Sequence, residues 1–301
     1  MTDLREAAPR GAAGAEEPGL EESGPEELAD ALVREMAGYG RPMVAFSGGV
    51  DSSVALAAAV RALGTDNVAA VTAVSPSLPA AELRAARELA AGLGVTHYTP
   101  ATNELDVDGY RENSPRRCYF CKTVLLETAT DLAARRGYRT IVTGTNASDV
   151  AAGFRPGIRA AAERGARTPL ADLSLDKAAV RAIARYWALP TWDKPAAACT
   201  ASRIAYGITV TRDRLARVER AEAAVRGLLG ARGHRVRDLR VRDLGDAVRL
   251  EVDAHLVGAA SGDPQVLEAI RAAGFGGTPV RVQAFRSGSM NDALGDRWRN
   301  A

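Results

Sequence analysis

The stretch Met43–Val44–Ala45–Phe46–Ser47–Gly48–Gly49–Val50–Asp51–Ser52–Ser53 constrains this chain more than any other. Four apolar residues run straight into Ser-Gly-Gly, and a helical pattern begins directly after. The spacing predicts a buried strand, a tight glycine turn and a helix N-terminus. Neither glycine has a Cβ, so the backbone can turn sharply and approach a ligand closely. Several N–H groups and the positive end of a helix then converge on one spot, which suits phosphate. Ser47, Ser52 and Ser53 add hydroxyl donors, and Asp51 can hold a magnesium ion that bridges phosphate oxygens. The plain alternative is an ordinary Gly-Ser turn, and six matching residues at a strand–helix junction weigh against it.

The pattern Ser-Gly-Gly-x-Asp-Ser resembles the PP-loop of the ATP pyrophosphatases. A Walker A loop would need Gly-x-x-x-x-Gly-Lys-Ser/Thr instead. The resemblance implies that ATP is split between its α and β phosphates, which releases pyrophosphate and leaves AMP on the substrate.

Apolar runs and helical periodicity alternate through the first two thirds of the chain. Leu28, Leu32 and Met36 share one face of a helix over 25–36. Helices are predicted over 52–63, 80–93, 122–136 and 176–187, and strands over 68–74, 95–98 and 140–143. The 68–74 run is almost wholly apolar, as befits a strand buried on both faces. This alternation predicts a doubly wound parallel α/β sheet of the Rossmann-like kind, with ligands at the carboxyl ends of the strands. The Ser47 loop and Gly144–Thr145–Asn146 both fall at such ends. Beyond Pro195 the pattern becomes helix 212–229, strands 235–242 and 248–252, helix 264–273 and strand 279–283. That order predicts a smaller α+β domain. The expected organisation is an acidic, disordered tail over 1–25, a PP-loop domain over 26–198, a C-terminal domain over 199–294 and a short tail over 295–301.

Composition narrows the function classes. A net charge of +2 over 301 residues gives no argument for nucleic-acid or membrane binding. No apolar run reaches the roughly 20 residues needed to span a bilayer. No basic segment followed by an apolar one marks a signal peptide, so the expected place is the cytoplasm. A reducing compartment would keep the three cysteines free.

Cys118 and Cys121 stand in Arg117–Cys118–Tyr119–Phe120–Cys121–Lys122, and Cys199 stands alone before Ser202–Arg203. Cations flank all three, which favours thiolates. Cys-x-x-Cys can serve zinc, a redox disulfide or an iron–sulfur cluster. A closed zinc site wants four ligands, and His97, His234 and His255 lack zinc-type spacing. A 4Fe–4S cluster on three cysteines leaves one iron open to an extra sulfide. The bland reading is three small buried hydrophobes.

Further segments follow in a familiar order: Gly144–Thr145–Asn146 with Asp149, Arg155–Pro156–Gly157, Thr168–Pro169–Leu170 and Trp192–Asp193–Lys194–Pro195. After Cys199 and Ser202–Arg203 come Arg235–Val236–Arg237 and Phe285–Arg286–Ser287–Gly288–Ser289–Met290–Asn291. Together, from about Leu28 to Leu294, these resemble the LarE-type ATP-dependent sulfur transferases. The resemblance implies adenylation of a carboxylate of pyridinium-3,5-biscarboxylic acid mononucleotide, for biosynthesis of the nickel-pincer nucleotide cofactor of lactate racemase. It implies that Cys199 attacks the acyl-adenylate and that a thiocarboxylate results. In one version Cys199 gives up its own sulfur. In a cysteine-rich subgroup, Cys118, Cys121 and Cys199 hold a 4Fe–4S cluster that delivers sulfide. It further implies ATP and magnesium as cofactors, a homo-oligomer, and hand-off to a nickel-inserting enzyme.

Such a substrate carries a phosphate and two carboxylates, so its site needs cations. Arg203, Arg235 and Arg237 are the candidates, the last two on one face of the predicted 235–242 strand. Arg240 and Arg242 keep that spacing less well, and a solvated strand face is the plain reading. Glu222 and Glu251 are loosely held as polar or base residues. Two departures from the family pattern stand out. Ser148 replaces an acidic residue beside Asp149, and Thr200 replaces leucine, a change expected to affect packing alone. Competing functions are a tRNA-thiolating PP-loop enzyme, which would need a broad basic surface, an amidotransferase-type synthetase, which leaves the cysteines idle, and a non-catalytic nucleotide sensor.

Overall fold

The computed structural model describes residues 24–153, 155–196 and 198–290. Of the expected tail over 1–25, residues 1–23 lie outside the described residues, as do the 295–301 tail and Asn291, while Pro25 already belongs to the first helix.

Helix α1 (Pro25–Ala37) starts with proline at its first position, where a missing N–H costs nothing. Its Leu28, Leu32 and Met36 are buried, and each such side chain contributes about 1.5–3 kcal/mol by leaving water. Strand β1 (Pro42–Ala45) is buried throughout. Then come α2 (Val50–Leu63), β2 (Ala69–Val71), α3 (Ala80–Gly92) and β3 (Thr96–Tyr98). Helices α4 (Asp108–Arg111) and α5 (Arg117–Arg136) precede β4 (Thr140–Thr143). Short helices α6 (Ala147–Ala151), α7 (Pro156–Glu163) and α8 (Pro169–Asp172) lead to α9 (Lys177–Tyr186).

The four strands form one parallel sheet in the order β3-β2-β1-β4. Val44 lies between Ala70 of β2 and Val142 of β4. The chain leaves β1 toward β2 and β3, then returns to β4 on the other side. That reversal opens a crevice at the carboxyl ends of β1 and β4, where ligands bind in such sheets. Ala55 through Ala59 of α2 have no exposed surface, so small side chains let this helix lie close in the core.

The first long helix of the second unit is α10 (Arg212–Ala231), capped by Thr211, followed by β5 (Leu239–Asp243) and β6 (Val248–Val252). Helices α11 (Val257–Ser261) and α12 (Pro264–Ile270) and strand β7 (Val280–Ala284) complete it. Its sheet runs β5-β6-β7, with β5 and β6 antiparallel and β6 and β7 parallel. Val218, Val225 and Leu229 of α10 pack on Leu239, Val241 and Leu250. The chain is thus a doubly wound α/β sheet followed by a smaller mixed-sheet unit, as the alternation predicts.

Three expected boundaries move. The 68–74 strand pairs only over Ala69–Val71, and Val74 keeps a single bridge to Ala101. Helix α5 begins at Arg117 rather than 122, so both cysteines of the Cys-x-x-Cys pair sit on its first turns. Strand β5 begins at Leu239, so Arg235 and Arg237 lie in the loop before it.

Candidate active site

The phosphate loop has the expected geometry. Gly48 adopts φ +69°, and a Cβ there would lie 3.2 Å from Ala86 of α3. Gly49 caps α2 and receives the Ser52 and Ser53 hydroxyls on its carbonyl at 3.1 and 2.8 Å. Ser47 and Ser52 hydroxyls are 3.1 Å apart. At the end of β4, Gly144 packs so tightly that a Cβ would stand 2.7 Å from the Ser52 backbone nitrogen. That closeness brings Asn146 to Asp51, whose Oδ1 accepts from Asn146 Nδ2 at 3.0 Å.

Two lysines that residue-type reasoning left without a role flank this loop. Lys177, at the start of α9, is ion-paired with the other oxygen of Asp51. Lys194 Nζ donates to the Gly48 carbonyl at 2.9 Å and to Glu82 at 2.8 Å. Ser148 accepts from the Lys177 N–H at 3.0 Å, so the departure from an acidic residue serves the start of α9. Thr200 does more than pack: its hydroxyl and N–H both bond to the Ser77 carbonyl at 3.0 Å.

Beside the loop lies a cavity of about 950 Å³. Arg203, Arg235 and Arg237 all line it, with Lys194, Glu222 and Arg240. Their situations differ. Arg235 and Arg237 are exposed loop residues. Arg237 donates to the Asp193 carbonyl at 3.2 Å. Arg203 is 4% exposed and fully engaged. It meets Glu222 at 2.8 and 3.2 Å and the carbonyls of Ala198 and Cys199 at 2.6 and 3.1 Å. The alternating pair that does occupy the strand is Arg240 and Arg242, both buried. Arg240 donates to the Ala196 carbonyl at 2.7 Å and stacks its guanidinium 5.2 Å from the Phe285 ring. Burial pushes its pKa down, and Arg203 adds to that push. Arg242 grips Glu251 at 2.8 and 3.0 Å. Glu251 has no exposed surface and also takes the Ser289 hydroxyl at 2.8 Å. A two-residue period was the available signal for Arg240 and Arg242, but the strand start was misplaced.

A second cavity, about 680 Å³, lies on the other side of the Cys199 segment. Cys118, Cys121 and Cys199 all line it, together with Tyr110, Arg117 and Arg155. All three thiols are free. Cys118 is open to solvent within this concave wall, and Cys121 and Cys199 are half-buried. Burial raises the Cys118 thiol pKa against the lowering pull of Arg117. Burial pushes Cys121 well up, reinforced by Cys199 and Glu104. Arg117 is buried, donates to Asn113 and to the Ala201 carbonyl, and lies 5.6 Å from the Tyr206 ring. Thr145 and Asp149, from the β4 end, border the same cavity.

Residues 198–203 therefore form a wall. Ala198, Thr200 and Arg203 face the arginine cavity, and Cys199 faces the cysteine cavity. Each cavity touches the phosphate loop's surroundings, the first through Lys194 and Glu82, the second through Thr145 and Asp149.

Among the described residues no three His, Cys, Asp or Glu side chains are drawn close enough together to hold a metal ion. Asp51 is one carboxylate beside a phosphate cradle, which suits magnesium, since that ion needs one or two carboxylates plus phosphate oxygens. Cys118, Cys121 and Cys199 line one cavity as free thiols with Arg117 and Arg155, but they are not gathered into a ligand set.

Residues 28–113 match the NAD synthase family model. That is less than a third of the chain and includes the Ser47–Ser53 loop. An uncharacterised protein of Synechocystis sp. is 38% identical over 84% of this chain and 93% of its own length. The pyridinium-3,5-bisthiocarboxylic acid mononucleotide synthase of Lactiplantibacillus plantarum is 34% identical over 87% of this chain and 93% of its own. An uncharacterised protein of Methanocaldococcus jannaschii is 26% identical over 61% of this chain and 69% of its own. With the phosphate loop at the sheet crevice and full-length similarity of this degree, the chain belongs to the LarE-type, ATP-dependent sulfur transferases of the PP-loop class.

Proposed function

We propose that this enzyme adenylates a carboxylate of pyridinium-3,5-biscarboxylic acid mononucleotide and converts it to a thiocarboxylate, with Cys199 as the sulfur nucleophile. The observation that carries this reading is the placement of Cys199 in the wall between an arginine-lined cavity and a cysteine-lined one, both beside the phosphate loop. A carboxylate has no good leaving group of its own. Its oxygen attacks the α-phosphorus, pyrophosphate leaves, and the mixed anhydride now carries AMP as the leaving group. The Ser47–Ser53 loop, with Gly144, Thr145 and Asn146, cradles the nucleotide. Lys194 and Lys177 supply positive charge at its edges. Arg235 and Arg237 present exposed guanidiniums to the substrate's anionic groups, Arg237 with one nitrogen resting on the Asp193 carbonyl. Arg203 acts by holding the carbonyls of Ala198 and Cys199, which aims the thiol.

Attack by the Cys199 sulfur forms a thioester and expels AMP. Loss of the Cys199 α-proton and cleavage of its Cβ–S bond then leave dehydroalanine and the thiocarboxylate. A second reading of the sulfur source is favoured by one observation, that Cys118 and Cys121 share the cavity with Cys199. On that reading Cys118, Cys121 and Cys199 would hold a 4Fe–4S cluster, whose chemistry would be to bring a sulfide in place of the Cys199 sulfur. Asp51 would hold magnesium, which neutralises phosphate charge as pyrophosphate departs. We place the domain boundary at 198/199, so that the nucleophile opens the second unit. The family pattern also leads us to assign a homo-oligomer in the cytoplasm that passes product to a nickel-inserting enzyme. No helix among the described residues is long and apolar enough to cross a membrane.

The test is anaerobic. Iron, sulfide and intact mass are measured before and after turnover. Cys199→Ala should abolish thiocarboxylate while pyrophosphate release persists. Thiocarboxylate made by Cys199→Ala at the wild-type rate sinks the reading. Cys118→Ser should lower bound iron if the cluster supplies sulfur. An iron-free wild type that loses the mass of one hydrogen sulfide per turnover selects the sacrificial route.

A further inference from the structure

Tyr110 lines the cysteine cavity and is only 1% exposed. It packs with Ala201, Ile204, Val210 and Leu215, and Cys121 and Cys199 lie against the same cluster. Its hydroxyl has no hydrogen-bond partner. The Ser77 hydroxyl lies near enough to lower the phenol pKa as a loose hydrogen-bond neighbour, but the pair falls outside ordinary hydrogen-bond geometry. A buried hydroxyl left unpaired costs about 1–3 kcal/mol, so a phenylalanine would suit the fold alone better.

The position is rigidly set. A Cβ on Gly109 would stand 2.3 Å from the Phe120 ring, so only glycine lets α4 close on α5 at this point. Asn113 donates to the carbonyls of Ile204, Ala205 and Ile208 and ties the next turn to the Cys199 side of the site. Cys199 lines the same cavity and packs against the same cluster as Tyr110, and a phenol is a hydrogen-bond donor.

We infer that Tyr110 is a positioning residue that donates a hydrogen bond to the sulfur of Cys199 as it attacks the activated carboxylate. This rests on the proposed role of Cys199. In that step the sulfur–carbon bond forms, the carbon–oxygen bond to AMP breaks, the thiol proton of Cys199 passes to solvent, and the phenol keeps its own proton. The hydrogen bond aims the sulfur at the carboxyl carbon, and losing that aim slows sulfur transfer about 10- to 100-fold.

The experiment uses the full chain and three readouts. First, Tyr110→Phe should keep or raise the thermal midpoint of the unloaded protein, because no partner is lost. Second, thiocarboxylate formation should fall at least about tenfold with substrate KM and pyrophosphate release unchanged. Third, in protein labelled with 3-fluorotyrosine, the ¹⁹F resonance missing from Tyr110→Phe should move in Cys199→Ala. A lowered midpoint, wild-type sulfur transfer in Tyr110→Phe, or a Tyr110 resonance unmoved in Cys199→Ala would each overturn the inference. If the wild type releases pyrophosphate yet makes no thiocarboxylate, it is the proposed function that fails, and the resonance alone then decides the contact.

Discussion

Arg203 offers the sharpest test of how this site is built. Its guanidinium is 4% exposed and its partner Glu222 is 15% exposed, so both charges are largely out of water. Arg203→Met removes two contacts to Glu222, at 2.8 and 3.2 Å, and two to the carbonyls of Ala198 and Cys199. Glu222 keeps the Val241 N–H at 3.0 Å, which does not balance its charge. Breaking a buried pair from one side costs about 3–5 kcal/mol.

The magnitude is read from urea unfolding of four proteins: wild type, Arg203→Met, Glu222→Met and the double variant. Arg203→Met should lose about 3–5 kcal/mol. The double variant should lose less than the sum of the singles, with a coupling of about 0.5–3 kcal/mol. Arg203→Lys should fail to restore the clamp, since an ammonium cannot span Glu222 and two carbonyls in the fixed fork of a guanidinium. A loss below about 1 kcal/mol, the size of an exposed pair, would refute the reasoning. So would a variant of unchanged stability whose only defect is a raised substrate KM, for then Arg203 would be a substrate ligand and no clamp.

Other consequences follow from the same geometry. Gly144→Ala should force β4 away from α2, costing about 1–3 kcal/mol and weakening ATP binding measured by calorimetry, because its Cβ would meet the Ser52 nitrogen at 2.7 Å. Lys194→Met should slow pyrophosphate release, since it frees both the Gly48 carbonyl and Glu82 at the loop's edge; stopped-flow pyrophosphate detection would show it. Cys121 carries a raised pKa, from burial first. The folded, iron-free protein therefore binds that proton more tightly than the unfolded chain. Its stabilising contribution is full below the ordinary thiol range and is lost as pH rises above that range, through the raised folded-state value. Unfolding midpoints across that interval should fall less steeply for Cys121→Ala than for the wild type.

The first half of the fold was legible because its signals are local. A continuous apolar run, a glycine pair and a 3.6-residue period each fix one element, and Met43–Leu63 carries all three within one window. The Asp51 environment was half legible. Asp51 follows from the loop motif, whereas Lys177 and Lys194 reach it from 126 and 146 residues away along the chain. Nothing local to either lysine marks that return. The arginines misled for a related reason. Arg235, Arg237, Arg240 and Arg242 all look alike in a polar stretch, and no apolar anchor before Leu239 fixes where the strand begins. Once Leu239 and Val241 point into the second core, Arg240 and Arg242 must point to the opposite face, toward Arg203 and Glu251.

That opposite face explains why a small mixed sheet is attached to an ATP-binding one. Cations that hold a substrate carboxylate could also tie up the attacking thiolate. The 198–203 wall sets Arg203, Arg235 and Arg237 on one side of Cys199 and leaves Arg117 and Arg155 on the side of the thiols. Arg203 bonds the carbonyl of Cys199 and turns its charge toward Glu222, so the guanidinium holds the backbone and leaves the sulfur to the far side. Ile204 and Ala205 then join Asp243 at the end of β5 through a bridge and a 2.9 Å hydrogen bond. Asp243 is 1% exposed and braced by Arg214 and Arg217 of α10. The wall is thus fixed at one end by Thr200 on Ser77 of the first unit and at the other by Asp243 of the second. A nucleophile mounted on that span stays in register with the phosphate loop only while both units hold it. Weakening Asp243, which touches neither cavity, should therefore slow sulfur transfer more than it slows pyrophosphate release.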